Sequence, residues 1–200
     1  MKKPKWVERV NKAKEESKKT YKRFKTIEEI LNDALKELEE LTKETSRGSV
    51  VGSLVKIDDI TEKPDYKKLS KDKGTNRIGD VLFIQFAREP GNPNKIHVAV
   101  VGAGCDVGAS YKYTSGEILN AIGWEWYTER AYIIPLKNLG GGSRGGCGNE
   151  ENYLRCRNGV EHYVGEYLIN NNVPVLNYYQ HWNVTEEAWK QMESRKFRTK

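Results

Sequence analysis

Apolar residues recur at three- and four-residue intervals across 26–44: Ile27, Ile30, Leu31, Ala34, Leu35, Leu38 and Leu41. That spacing predicts an amphipathic helix with one face toward a core and acidic residues on the other. Thr26 and Glu29 stand at capping-box spacing and set the expected start. The rhythm then changes. "SRGSVVGSLVKI" mixes Gly, Ser and β-branched residues and predicts a turn into a strand. Residues 57–79 are polar, include Pro64 and Gly74, and read as a long loop. "DVLFIQFA" from Asp80 and "IHVAVVGAG" from Ile96 are strands by their β-branched and aromatic content, joined by the hairpin loop "REPGNPNK". The unbroken apolar run Val98 to Val101 predicts burial on both faces. "TSGEILNAIG" predicts a short helix, opened by Thr114 and Glu117 and stopped by Gly123. "RAYIIPLKN" is a third strand. "VEHYVGEYLINNNVPVLN", from Val160 to Asn177, reads as a helix opening on Glu161, a turn, and a short extended segment. A last helix begins after Thr185, with Glu186 and Glu187 in its first turn and Arg195, Lys196, Arg198 and Lys200 beyond it, matching the helix dipole.

This order predicts an α+β fold: a small, central, mostly antiparallel sheet of three to four strands, with flanking helices and a helical N-terminal arm. The chain divides into a basic and amphipathic helical region (1–46), an α+β core domain (47–182) and a C-terminal basic helix (183–200). The apolar stripe of the first helix serves either this core or a second copy of the chain. Packing within the chain is the preferred reading, and a homodimer stays open.

Composition narrows the partners. The chain has 200 residues and a net charge of +6, with Lys and Arg crowded into residues 1–25. A basic balance favours an anionic partner, and nucleic acid is the commonest; DNA is expected before RNA. A solvated basic surface is the plain alternative. No apolar run approaches the ~18 residues of a membrane span, and the N-terminus lacks the apolar core of a signal peptide. The expectation is a cytoplasmic protein. Three cysteines, Cys105, Cys147 and Cys156, are too few and too widely spaced for a disulfide framework, so thiols are expected. A zinc site shared with His162 is the alternative, at a non-standard spacing.

Glu161 is the first candidate for chemistry. A carboxylate at a helix start is favoured by the dipole alone. It could also hold Mg²⁺, which needs only one or two protein carboxylates when a phosphate substrate supplies the other ligands. The element order, with Glu161, Leu168, Ile169, Pro174, Leu176 and Asn177, resembles the GIY-YIG nuclease fold over roughly 81–177. The resemblance implies a metal-dependent endonuclease in which Glu161 binds Mg²⁺ or another divalent metal and Asn177 orients the site. That family's hairpin tyrosines and first-helix arginine have no counterpart in "LFIQF", "VAVVG" or "TSGEILNAIG". Tyr113 or Tyr111 then stands in as the water-activating group, and Arg130 or Lys112 as the phosphate clamp. Arg144, Arg155 and Arg157 would form a basic patch beside Glu161, suited to a phosphate backbone.

Two further resemblances compete. "IGDVLFIQFA", "HVAVVG" and "WEWYTERAYIIPL" are similar to PUA-like domains of the EVE or ASCH kind. They imply an aromatic pocket for a modified base, RNA or nucleotide, with Trp124, Trp126, Tyr127 and Tyr132 stacking on it. Core or edge packing is the alternative for these rings. "GDVLFI" before "HVAVVG" is also similar to NlpC/P60 cysteine peptidases, with His97 as the base. The nucleophilic cysteine that precedes this histidine in that family is missing, so no thiolate is available for acyl transfer. A last reading makes the chain an interaction or inhibitor protein of a mobile element. It would work through its helical arms and leave part of the Leu31–Leu35–Leu38 stripe exposed.

Overall fold

The computed structural model describes residues 11, 13–16, 18, 24–43, 46–58, 81–104, 122–140 and 153–178; at 93, 98–100, 103, 104, 177 and 178 only the backbone is described. Most of the expected helix at 114–123, the helix after Thr185, and most of the loop at 57–79 lie outside these residues.

Helix α1 spans Phe24–Lys43. Thr26 therefore sits inside the helix and not at its cap. Ile27, Leu31, Ala34, Leu35 and Leu38 are buried, while Leu41 at the stripe's end is half exposed. The interaction reading required an exposed Leu31–Leu35–Leu38 stripe; the chain covers it with its own core. The helix ends against the next segment: Thr42 Oγ1 donates to the Leu38 carbonyl at 2.7 Å and accepts from the Val50 amide at 3.3 Å.

Five strands form the sheet, where the sequence predicted three to four: β1 (Val55–Asp58), β2 (Val81–Glu89), β3 (Asn92–Gly104), β4 (Glu125–Pro135) and β5 (Val175–Tyr178). Their order is β1-β4-β2-β3-β5. All pairings are antiparallel except β3 with β5. The architecture is α+β with a mostly antiparallel sheet. β4 begins five residues earlier than the expected strand at Arg130.

Alternation along β2 gives the sheet two apolar faces. Leu82, Ile84 and Phe86 join the larger core, with Ile96, Val101, Tyr132, Ile134 and Val175. Helix α1 and a second helix, α2 (Arg157–Asn170), cover this face. Val81, Phe83 and Ala87 join a second core, with Ala131, Ile133, Trp124 and Leu176, and the N-terminal helical residue Ala13 packs onto it. The tip of the Phe83 ring occupies the space beside Gly102, where a Cβ would collide with it.

The sheet is irregular at one level. Between Gln85 and Phe86 the register on β3 jumps from Val100 to Val98, and on β4 from Ala131 to Tyr127. The β4 jump inserts three extra residues. An odd insertion moves every later side chain to the opposite face.

A 3₁₀ turn, Tyr153–Arg155, leads into α2, Arg157–Asn170. The helix starts earlier than its apolar pattern suggests. Glu161 is its fifth residue, and the first turn holds no acidic residue. The expected helix-opening carboxylate is thus a full turn inside. At the other end the Asn172 backbone is left-handed, with φ 57, and the amides of Asn171, Asn172 and Val173 donate to Tyr167, Ile169 and Leu168. Asparagine tolerates that conformation, and the turn releases the chain into β5.

Candidate functional site

The predicted nuclease residues fall in different parts of the molecule. Glu161 is 1% exposed, on the inner side of α2. Its charge adds to burial in pushing the Tyr153 hydroxyl up to about 12, so carboxylate and ring are neighbours. Arg130 is on β4 at the far end of α1. Its guanidinium carbon lies 5.1 Å from the Phe24 ring centre, and its Nε donates to Asp58 at 2.8 Å. Burial lowers the Arg130 pKa, but bonds to Tyr132 and Asp58 and the Asp58 charge outweigh this and raise it. Tyr132 donates in turn to Glu28 at 3.1 Å.

Arg155, which leads into α2, bonds to the Thr42 carbonyl, and Tyr163 neighbours Glu37, so α2 runs back along α1. Glu161 is level with the last turns of α1, and Arg130 with the first. At 1.5 Å per residue the two are roughly 15–20 Å apart. They do not share a cleft. Tyr111, Lys112, Tyr113 and Arg144 lie outside the described residues, as does the side chain of Asn177, whose backbone pairs with Val100.

The basic patch also divides. Arg157 is the first residue of α2 and is half-buried. Arg155 is 2% exposed and donates to three carbonyls: Asn138 at 3.0 Å, Thr42 at 2.7 Å and Gly48 at 2.8 Å. It ties the end of α1, the loop after β4 and the entry to α2 together. Its hydrogen-bonding capacity is turned inward, away from any phosphate at the surface.

Cys156, the N-cap of α2, is fully buried and disulfide-bonded. The chain has three cysteines, so its partner is Cys105 or Cys147, both outside the described residues. This corrects the expectation of thiols. It also removes Cys156 as a zinc ligand, since a disulfide sulfur carries no thiolate.

The four aromatics of the expected pocket lie on opposite faces. Tyr127 stacks on Phe24 at 5.6 Å, and Tyr132 meets Phe86 edge-on at 5.9 Å; both belong to the helix-covered core. Trp124 and Trp126 belong to the other face. There Trp124 meets His97 at 4.6 Å between ring centres, and the Lys95 ammonium sits 5.7 Å from the Trp124 centre. Trp126 pairs across the strands with Ala87, and Ala87 with His97, so a small residue separates the two rings.

His97 is 1% exposed, and neither ring nitrogen has a hydrogen-bond partner among the described residues. Burial and then the Lys95 charge lower its pKa to about 4, against a smaller opposing effect of Glu89. It is a neutral imidazole at neutral pH. Gln85, also fully buried, lies on the same face two residues from Ala87. The signal for Gln85 was available: one polar residue interrupts the apolar run "LFIQFA". Its partner in this pattern is His97 in "IHVAVV", which the sequence had suggested only as a peptidase base.

Among the described residues no group of three or more His, Cys, Asp or Glu side chains is arranged to hold a metal ion. No described helix is long and apolar enough to cross a membrane. Comparison with protein-family models, with characterised proteins and with solved structures finds no match to the chain.

Proposed function

We propose that this chain binds single-stranded nucleic acid or a nucleotide at the edge of the second sheet face, where the Trp126 ring is partly exposed beside the buried Trp124. The observation behind the proposal is their convergence on one face beside the neutral His97, with Lys95 placed over the Trp124 ring. Indole faces stack on bases of any sequence, and a neighbouring cation meets the phosphate. The net charge of +6 supports an anionic partner as well.

A second reading keeps metal-dependent phosphodiester hydrolysis at Glu161. It is favoured by one observation, the buried carboxylate beside the Tyr153 hydroxyl. Glu161 would be the one described protein ligand of Mg²⁺, and a bound metal would polarise a phosphate oxygen there.

One experiment separates them. Labelled single-stranded DNA and RNA are titrated with the full chain by fluorescence anisotropy, with Mg²⁺ or EDTA, and the oligonucleotides are then checked for cleavage. Saturable binding in EDTA that weakens at least tenfold in Trp126→Ala supports the first reading. Mg²⁺-dependent cleavage lost in Glu161→Gln supports the second. Neither binding nor cleavage sinks both.

A further inference from the structure

His97 is buried on the sheet, with no acceptor for a second proton among the described residues. Its covering ring belongs to Trp124, which stands just before the first residue of β4. On the other side of Trp124 the Gly123 backbone is left-handed, with φ 71. β4 is held from Glu125 onward, where Glu125 pairs with Arg88. Trp124 is therefore fixed by the strand on one side only and can leave the sheet without disturbing the register.

We propose that the His97–Trp124 contact is an acid-released clasp: a proton taken from solvent by His97 drives Trp124 off the sheet while the five-stranded fold stays closed. An imidazolium at this place would be buried against an indole and Ala87 with no hydrogen-bond acceptor among the described residues, and attraction to the indole repays only part of the lost solvation. Solvation of the new charge requires the cover to open. The charges around it favour the same outcome. Lys95, two residues along the same strand, repels a second cation. Glu89 attracts it but is already engaged by Lys95 at 3.0 Å. Arg88 and Glu125 neutralise each other at that end of the sheet. Glu16, three residues from Ala13 in the N-terminal helical segment, is a further buried carboxylate among the described residues. Were it to accept the imidazolium proton, the contact would tighten in acid instead of opening.

The inference does not depend on nucleic-acid binding, because its readouts use no ligand. Tryptophan emission and far-UV circular dichroism of the full chain are followed from pH 7.5 to 4, alongside the NMR titration of the three histidines. The expected result is a reversible, one-proton change in emission with its midpoint below 6.5, at constant far-UV signal. That change should be absent in His97→Gln and in Trp124→Phe. The same transition in His97→Gln overturns the proposal, as does loss of the far-UV signal together with the emission change. Should the variants not fold, the wild-type NMR titration decides. A His97 midpoint below 6.5 that moves with the Trp124 indole signal supports the clasp. A midpoint at or above 6.5, the signature of a Glu16 partner, overturns it.

Discussion

Gly159 shows how one backbone position can be fixed by packing. In α2 it lies against the Tyr153 carbonyl, and a Cβ there would overlap that oxygen. The carbonyl is backbone and cannot swing aside as a side chain could. Gly159→Ala should destabilise the protein by about 2–4 kcal/mol, although alanine is the better helix former. Chemical denaturation checks it, and a stabilised variant would show that the 3₁₀ turn shifts freely. His97 supplies a residue-scale pH dependence. Its folded pKa, near 4, is below the unfolded value of 6.5. Between these values the unfolded chain binds a proton that the folded chain does not. Stability is therefore full above about 6.5 and falls as pH drops toward 4. The shift corresponds to about 3 kcal/mol over the whole range, so the expected loss between pH 7 and pH 5 is roughly 1–3 kcal/mol. Denaturant midpoints at pH 7 and pH 5 should differ in the wild type and differ less in His97→Gln.

At the scale of elements, α1 was the most legible part of the chain. Its stripe has helical period, and Leu31 and Leu38 are completely buried. Leu38→Ala should cost about 2–5 kcal/mol by transfer and cavity terms, seen as a lower midpoint in thermal or urea unfolding. Leu41→Ala, at a position half exposed, should change stability by less than about 1 kcal/mol. Helix α2 was less legible. Its entry is set by long-range bonds from Arg155 and by the Cys156 disulfide, and neither follows from local pattern. Reduction of that bond should lower stability by about 3–4 kcal/mol, the larger figure applying to a Cys105 partner and the smaller to Cys147. Unfolding with and without dithiothreitol tests the size. Peptide mapping without reduction identifies the partner.

For the whole molecule, the charge and the two-sided sheet carry the binding prediction. If the basic chain neutralises several phosphates, affinity for an oligonucleotide should fall at least tenfold between about 50 and 200 mM salt. A salt-independent affinity would place binding in a neutral pocket and remove the phosphate backbone from the account. The arrangement of the site reflects the same global scale. Glu161 and Arg130 are both on the helix-covered side, yet the antiparallel run of α2 along α1 puts them at opposite ends. Residues 31 positions apart in sequence gave no hint of that separation.

Taken alone, the amino-acid order determined the class of fold, the inward stripe of α1, and the β2–β3 hairpin. These follow from local periodicity: 3.6 residues for a helix, two for a strand, and turn residues between. The resemblance to PUA-like domains also grouped Trp124, Trp126, Tyr127 and Tyr132 in one aromatic pocket. Tertiary structure decided otherwise. The three extra residues of β4 opposite Gln85 and Phe86 are an odd number. They reverse the alternation, sending Tyr132 under α1 and leaving Trp126 on the opposite face with His97. Where an irregularity falls depends on which strands pair and on what must pack against each face. That information is spread over residues distant in sequence, and a period read along one segment does not contain it.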